Sequence, residues 1–293
     1  MFTHFYAGYE SSQPAGPATF SQNDSQAHGT DLIGRPILFV HGQFAGSTIR
    51  AELREIQQAE LGRKYARVDR RPLDPPPVVQ LRLFKVRDVG TEHELESEIP
   101  NYEDVQILGL LCTVDLFPVP FVSKSPSKSE ASETVHYVNN HPIEESSKAT
   151  SALVGATFVQ PSVIDYEGKK AILFVFADLA VKIEGSFILR YRFFDIFSRP
   201  YNYQDLAIQA ECYGGAFHVY STKEFPGLQA STELTKHLAR WGVRLNTRET
   251  ERRRRKKGET REHFSPSPNS GTRKRKRSSG PSTDGGFQSD EEE

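Results

Sequence analysis

Five cations, Arg63, Lys64, Arg67, Arg70 and Arg71, are followed at once by four prolines, Pro72, Pro75, Pro76 and Pro77. Arginine presents a planar fork of donors that matches phosphate oxygens and the guanine edge bidentately, which lysine cannot do. Proline fixes φ and has no N–H, so residues 72–77 cannot be helix interior. The segment 62–77 therefore reads as a stiff, extended, charged loop that feeds a strand at 78–86. A restrained backbone leaves less to order when the arginines meet a ligand. The chemistry on offer is contact with a polyanion, double-stranded DNA above all. The alternative is a solvated charged loop, a common fate of such runs.

Other chemistry finds less support. The run Pro36-Ile37-Leu38-Phe39-Val40-His41-Gly42 has the look of a hydrolase strand and His-Gly turn, yet no Gly-x-Ser-x-Gly elbow accompanies it. A surface strand and turn is the better reading. The nine histidines form no His-x-x-x-His pair, and Cys112 and Cys212 form no Cys-x-x-Cys pair. Phosphate loops of the Gly-x-x-x-x-Gly-Lys or Gly-x-Gly-x-x-Gly kind are missing too. No catalysis, metal or cofactor is expected.

A second basic feature lies near the end of the sequence. Arg252, Arg253, Arg254, Arg255, Lys256 and Lys257 form one cluster; Arg273, Lys274, Arg275, Lys276 and Arg277 form another. Two clusters joined by a Ser/Pro/Asn spacer suit recognition by a nuclear import receptor, and they also suit non-specific phosphate contact. Residues 248–277 carry 13 Lys/Arg against 4 Asp/Glu, whereas 280–293 carries 5 acids and no base. The net charge of −1 hides this asymmetry. The body before residue 248 is mildly acidic, so a basic patch on it acts as a steering device.

The elements that must position these residues are mostly strands. Residues 37–41, 78–86, 105–117 (bent at Gly109), 171–176, 185–196 and 212–220 are short β-rich runs, several closed by Pro or Gly. In 185–196, Phe187, Leu189, Tyr191 and Phe193 alternate with Ile188, Arg190 and Arg192, which predicts one wet face. The stretch 48–61 stays open between helix, by composition, and strand, by alternation. Residues 91–104 read as an acidic loop, and 121–150 as a patternless, mobile insertion. Leu228, Leu234, Leu238 and Trp241 suggest a late helix with Ser231 as N-cap and Gly242 as its stop. Residues 1–34 and 248–293 read as disordered, leaving 35–247 as one domain. Two cysteines make no disulfide framework, which fits a reducing compartment, and no apolar run approaches the length of a membrane span.

Taken together, these segments resemble the fungal velvet-domain regulators. The box Asp69-Arg70-Arg71-Pro72-Leu73-Asp74-Pro75-Pro76-Pro77-Val78-Val79-Gln80-Leu81 is similar to that family's signature. Leu53-Arg54-Glu55-Ile56-Gln57-Gln58 is similar to its first strand and Gln-Gln exit. In order follow Leu110-Leu111-Cys112-Thr113-Val114-Asp115-Leu116, then Leu153-Val154-Gly155-Ala156, the long run 172–191, and Tyr220-Ser221-Thr222-Lys223-Glu224-Phe225-Pro226-Gly227-Leu228. The likeness spans about residues 47–247 and sits nearest the smaller VosA/VelB-like branch. It implies an all-β, immunoglobulin-like sandwich of the Rel/NF-κB kind with a peripheral C-terminal helix. It further implies sequence-specific DNA binding, homo- or heterodimers with other velvet proteins, a nuclear location, and control of sporulation, development and secondary metabolism. The family's contact residues fall just ahead of the proline box, on Arg70 and Arg71, then Arg67, with Arg63 and Lys64 beyond. The resemblance also favours a strand at 49–56 and exposed apolar surface where a partner docks.

Overall fold

In the computed structural model, which describes residues 32–67, 70–119 and 133–250 and the backbone of 252–253, apolar residues meet across two packed sheets. The strands are β1 (Ile37–His41), β2 (Thr48–Gln57), β3 (Leu61–Arg63), β4 (Val78–Arg87), β5 (Leu95–Glu98), β6 (Leu110–Pro118), β7 (Thr134–Val138), β8 (His141–Glu144) and β9 (Leu153–Val154). They continue with β10 (Phe158–Val159), β11 (Ser162–Tyr166), β12 (Lys169–Val175), β13 (Ala180–Val181), β14 (Gly185–Asp195), β15 (Arg199–Pro200), β16 (Ala210–Tyr213), β17 (Phe217–Tyr220) and β18 (Gly227–Leu228). The helix α1 (Glu233–Arg240) and the short β19 (Arg252–Arg253) complete the chain.

One sheet runs β11-β12-β4-β2-β1-β15, with β5 beside β4; the other runs β10-β6-β14-β17-β3, with β16 beside β14. Period-2 alternation sends Ala51, Leu53, Leu81, Leu83 and Phe174 from the first sheet against Leu116, Leu189, Tyr191 and Phe193 from the second. Phe174 and Phe193 meet at 6.1 Å, and Phe176 and Tyr191 at 5.4 Å. Each fully buried side chain of this size contributes about 1.5–3 kcal/mol. This is the all-β sandwich with one short helix that the sequence implied.

Strand wins at 48–57 because pairing Leu53 with Leu81 puts Ala51 and Leu53 in the core and turns Arg50 and Glu52 outward. Those outward charges also explain β5, which acidic composition had suggested was loop. Glu96 accepts from Arg50 Nε at 2.6 Å and Glu98 from Arg82 Nη2 at 2.7 Å, so cross-strand ion pairs replace apolar alternation there. The Arg partners hold both carboxyls below the usual carboxylate range. Gly109, at φ 92°, does not bend a long strand; β6 begins only at Leu110. His41 ends β1 on the surface and Gly42 turns against Ser198.

Each sheet is also covered outside. Leu238 of α1 is buried with Val78, Ile164, Ala171 and Leu173 on the outer face of the first sheet. The N-cap is Thr232, whose hydroxyl accepts from the Thr235 N–H at 3.1 Å; Ser231 is bonded to Arg248 instead, and Leu228 belongs to β18. Gly242, at φ 90°, follows the helix as expected. Order extends past both boundaries read from the sequence. Leu32 packs on the core, and Arg248 is bonded into the body.

Residues 121–132 lie outside the described set, but 134–144 of the stretch read as patternless forms the β7–β8 hairpin, followed by a 3-10 turn at Glu145–Ser147. Ile143 of that hairpin is 1% exposed against Phe117 and Ile188. It covers the face of β14 expected to be wet. Arg190, 0% exposed, donates to Asp115 (Nη2 to Oδ2, 2.6 Å) and to Glu145 (Nη1 to Oε2, 2.5 Å). These hydrogen bonds outweigh desolvation and hold the guanidinium pKa above its ordinary value, so the charge is permanent. Removing Arg190 leaves two part-exposed carboxylates, Asp115 and Glu145, without their shared cation and a gap under the hairpin. Arg190→Ala is expected to lower the unfolding free energy in urea by about 1–3 kcal/mol. A loss below about 1 kcal/mol would show that the hairpin does not depend on this pair.

Candidate nucleic-acid interface

The basic segment starts inside the sandwich. β3 lies parallel to β17, pairing Gly62 with Val219 and Arg63 with Tyr220. Gly62 is demanded by packing, since a Cβ there would sit 2.7 Å from Leu73 Cδ2. The chain then holds on with two backbone bonds: Lys64 N–H donates to Tyr220 O at 2.9 Å, and Tyr65 N–H to Val181 O at 2.8 Å. It returns through Leu73, whose N–H donates to Leu179 O at 2.7 Å. Leu61 and Asp74 then exchange backbone bonds in both directions, at 3.0 and 2.9 Å, which closes 62–73 into a loop.

The proline half of the box is interior. Pro75, Pro76 and Pro77 are buried, and their carbonyls still accept: Pro76 O from Gln57 Nε2 at 2.7 Å, Pro77 O from Phe176 N–H at 3.0 Å. Gln57 is also bonded to Thr232 and Thr235, tying the end of β2 to the start of α1. The arginine half is surface: Arg67, Arg70 and Arg71 are all exposed. Arg70 Nε donates back to Arg67 O at 3.3 Å, a local bond within the loop. Lys64 Nζ lies 3.0 Å from Glu184, with both side chains about half exposed, and a pair of that kind exchanges partners readily.

Arg63 is half-buried, with its guanidinium 5.7 Å from the Phe225 ring centroid. It lines a cleft of about 640 Å³ together with Arg71, Pro72, Phe225, Leu228 and Arg248. The five cations named from sequence therefore divide three ways. Arg63 and Arg71 line the cleft, Arg67 and Arg70 are exposed on the loop, and Lys64 is paired to Glu184 beside β14. Arg248 joins them unannounced, because its place at the start of a charge-rich tail signals solvent; the apolar Val243 and Leu245 just before it are the only hint of docking. Of the tail clusters, the backbone of Arg252–Arg253 forms β19 against β18, and Arg254–Lys257 and Arg273–Arg277 lie outside the described residues. Among the described residues no group of three or more His, Cys, Asp or Glu is placed to hold a metal ion.

A second surface lies at the other end of β14. Lys64 and Glu184 mark the start of that 11-residue strand; Ile196 and Phe197 follow its end, about 33 Å away at the usual rise. Exposed apolar side chains gather there: Leu38, Val40, Leu108, Ile196, Phe197 and Tyr201. Tyr201 N–H donates to Leu38 O, Ile196 N–H donates to Gly109 O, and the Phe197 ring covers Gly109, which places these exposed residues at the same end of the sandwich.

Comparison with known proteins decides the family. The family described as "Velvet factor" matches residues 51–252, a span that takes in the whole loop, the cleft and the helix. The chain belongs to the velvet family. A relative in Laccaria bicolor named "Probable velvet family sexual development regulator" is 60% identical over 271 residues, covering 78% of this chain and 79% of the relative. A relative in Schizophyllum commune with the same description is 61% identical over 222 residues, covering 75% and 80%. "Velvet complex subunit 2" of Gibberella moniliformis is 41% identical over 90 residues, covering 29% of this chain and 20% of the relative. The velvet match thus contains every residue of the candidate site except those of the tail beyond 252.

Proposed function

We propose that this velvet protein is a nuclear, dimeric, sequence-specific DNA-binding regulator of fungal sporulation, development and secondary metabolism. The observation that carries the reading is the loop itself. Exposed arginines sit on a segment whose two feet are bonded to β17, to the 179–181 segment and to each other. A loop so held presents its guanidinium groups with little ordering left to do, as the loops of Rel-like sandwiches do at one end of their sheets. The apolar patch at the far end of β14 suits a second velvet chain, which leaves the DNA-facing end unobstructed. The basic clusters beyond Arg252 suit an import receptor.

A second reading, a partner-binding subunit that does not touch DNA, draws on the same apolar patch and on the relative named as a complex subunit. Replacing Arg67, Arg70 and Arg71 by Ala separates the two. Each arginine on a base edge is expected to contribute about 1–3 kcal/mol to binding of a selected promoter duplex at fixed salt. If the triple variant binds as tightly as the parent, the loop is structural and the second reading prevails.

Phe197→Glu is expected to shift the purified protein, alone or with its velvet partner, toward monomer in light scattering while leaving the folded spectrum intact. An unchanged mass would remove the patch from the interface. Deleting residues 252–277 is expected to move a fluorescently tagged chain out of the nucleus; nuclear signal equal to the parent's would rule out the import role.

A further inference from the structure

The return limb of the basic loop forms one wall of a cleft whose other walls come from distant parts of the chain. After Gly242 a strap lays Val243 and Leu245 against the apolar cluster under α1. Arg248 fastens the end of that strap. Its N–H donates to Ser231 Oγ at 3.0 Å, its carbonyl accepts from Ser231 N–H at 2.9 Å, and its Nε donates to Gln229 O at 3.0 Å. Its guanidinium is ion-paired with Asp74 on the loop wall. The third wall is a turn, in which Ser221 Oγ accepts from Glu224 N–H at 3.2 Å and Ser221 O from Phe225 N–H at 3.0 Å. Each wall is held by bonds within the chain, so the cleft of about 640 Å³ is preformed. Small-ligand and anchor sites commonly run about 300–1,000 Å³.

The lining combines two chemistries. Leu73 and Phe225 are buried at its base, with Leu228 and Leu245 half-buried beside them. Its charged residues, among the described ones, are Arg63, Arg71 and Arg248 against Asp74 alone. Arg248 is paired with Asp74, so Arg63 and Arg71 set the sign of the cleft. A ligand that satisfies both features is apolar and anionic at once. A duplex backbone offers phosphates but no apolar group to cover Leu228, and a small inorganic anion would leave the apolar base wet. A peptide with a bulky apolar side chain among carboxylates meets both demands, since arginine pairs with carboxylates bidentately.

We infer that this cleft docks an acidic peptide segment of a partner protein. A large apolar side chain of the segment covers Leu228 and Leu245, and its flanking carboxylates meet Arg63 and Arg71. Such an anchor in a preformed pocket carries most of the affinity, and the charges select the partner. The inference does not require the loop to bind DNA. Arg71 belongs to the cleft and the loop alike, so a docked segment competes with any polyanion for it.

The test uses the full chain and a random peptide library displayed on phage. The library is depleted on Leu228→Glu, which keeps both basic clusters of the tail, and is then selected on the parent. Surviving clones are expected to combine Asp or Glu with Phe, Leu or Trp. Their synthetic peptides should bind the parent at least about tenfold more tightly than L228E. Arg71→Ala should weaken them several-fold, and Phe197→Glu, at the far end of β14, should leave their affinity unchanged. Because Arg71 is exposed, R71A replaces L228E in the depletion step if L228E lacks the parent's folded spectrum. Survivors without acidic residues, or no survivors, overturn the inference. Equal binding after the apolar residue of a selected peptide is replaced by Ser also overturns it, and makes the cleft a general polyanion site. Binding lost in F197E but kept in R71A moves the docking to the apolar patch and overturns the cleft.

Discussion

The two-way backbone pairing of Leu61 with Asp74 is the constraint on which the surface chemistry depends. It closes a charged segment into a loop with fixed ends, so the flanking prolines can be buried while the arginines stay in water. Asp74 serves twice, because its carboxylate also holds Arg248 and with it the strap that follows α1. Gln57 makes a third tie between the end of β2, the proline carbonyls and the helix N-cap. Three chain segments far apart in sequence are thereby locked at one end of the sandwich. A loop organised in this way has its two ends fixed by backbone bonds to Tyr220, Val181, Leu179 and to each other.

The long strand β14 separates the two surfaces. One of its ends carries the Lys64–Glu184 pair and the cationic loop, the other Phe197 and the apolar patch, and the core lies between. Charge and apolar surface suit different partners, since exposed cations attract polyanions through long-range fields and apolar area associates by exclusion of water. Placing them at opposite ends lets both be occupied together. The middle of β14 is neither. There Arg190 is sealed under the β7–β8 hairpin by Asp115 and Glu145, a neutralised charge that ties a cover to a sheet.

Several features of this velvet protein were legible in the sequence because local patterns carry them. Alternation at 185–196 and the apolar runs at 78–86 and 171–176 required strands with buried faces, and two such faces must pack together. The helix at 233–240 was visible in the spacing of Leu234, Leu238 and Trp241. Exposed arginines ahead of a proline box pointed to a charged loop, since charged side chains are rarely buried without partners. The ordered motifs from residue 53 to 228 were enough to suggest the velvet family.

What only the tertiary structure decided involves partners distant in the chain. β5 has no apolar period of its own and exists because Glu96 and Glu98 meet Arg50 and Arg82 across strands. Arg190 looked wet because nothing in 185–196 announces a hairpin contributed by residues 134–144. Arg248 looked like the start of a tail because its acidic partner is Asp74, and the N-cap shifted from Ser231 to Thr232 because Ser231 is engaged by that same arginine. Periodicity reports which face of an element is apolar. It cannot report which remote charge will neutralise a polar residue, because that free energy belongs to a contact formed only once the chain is folded.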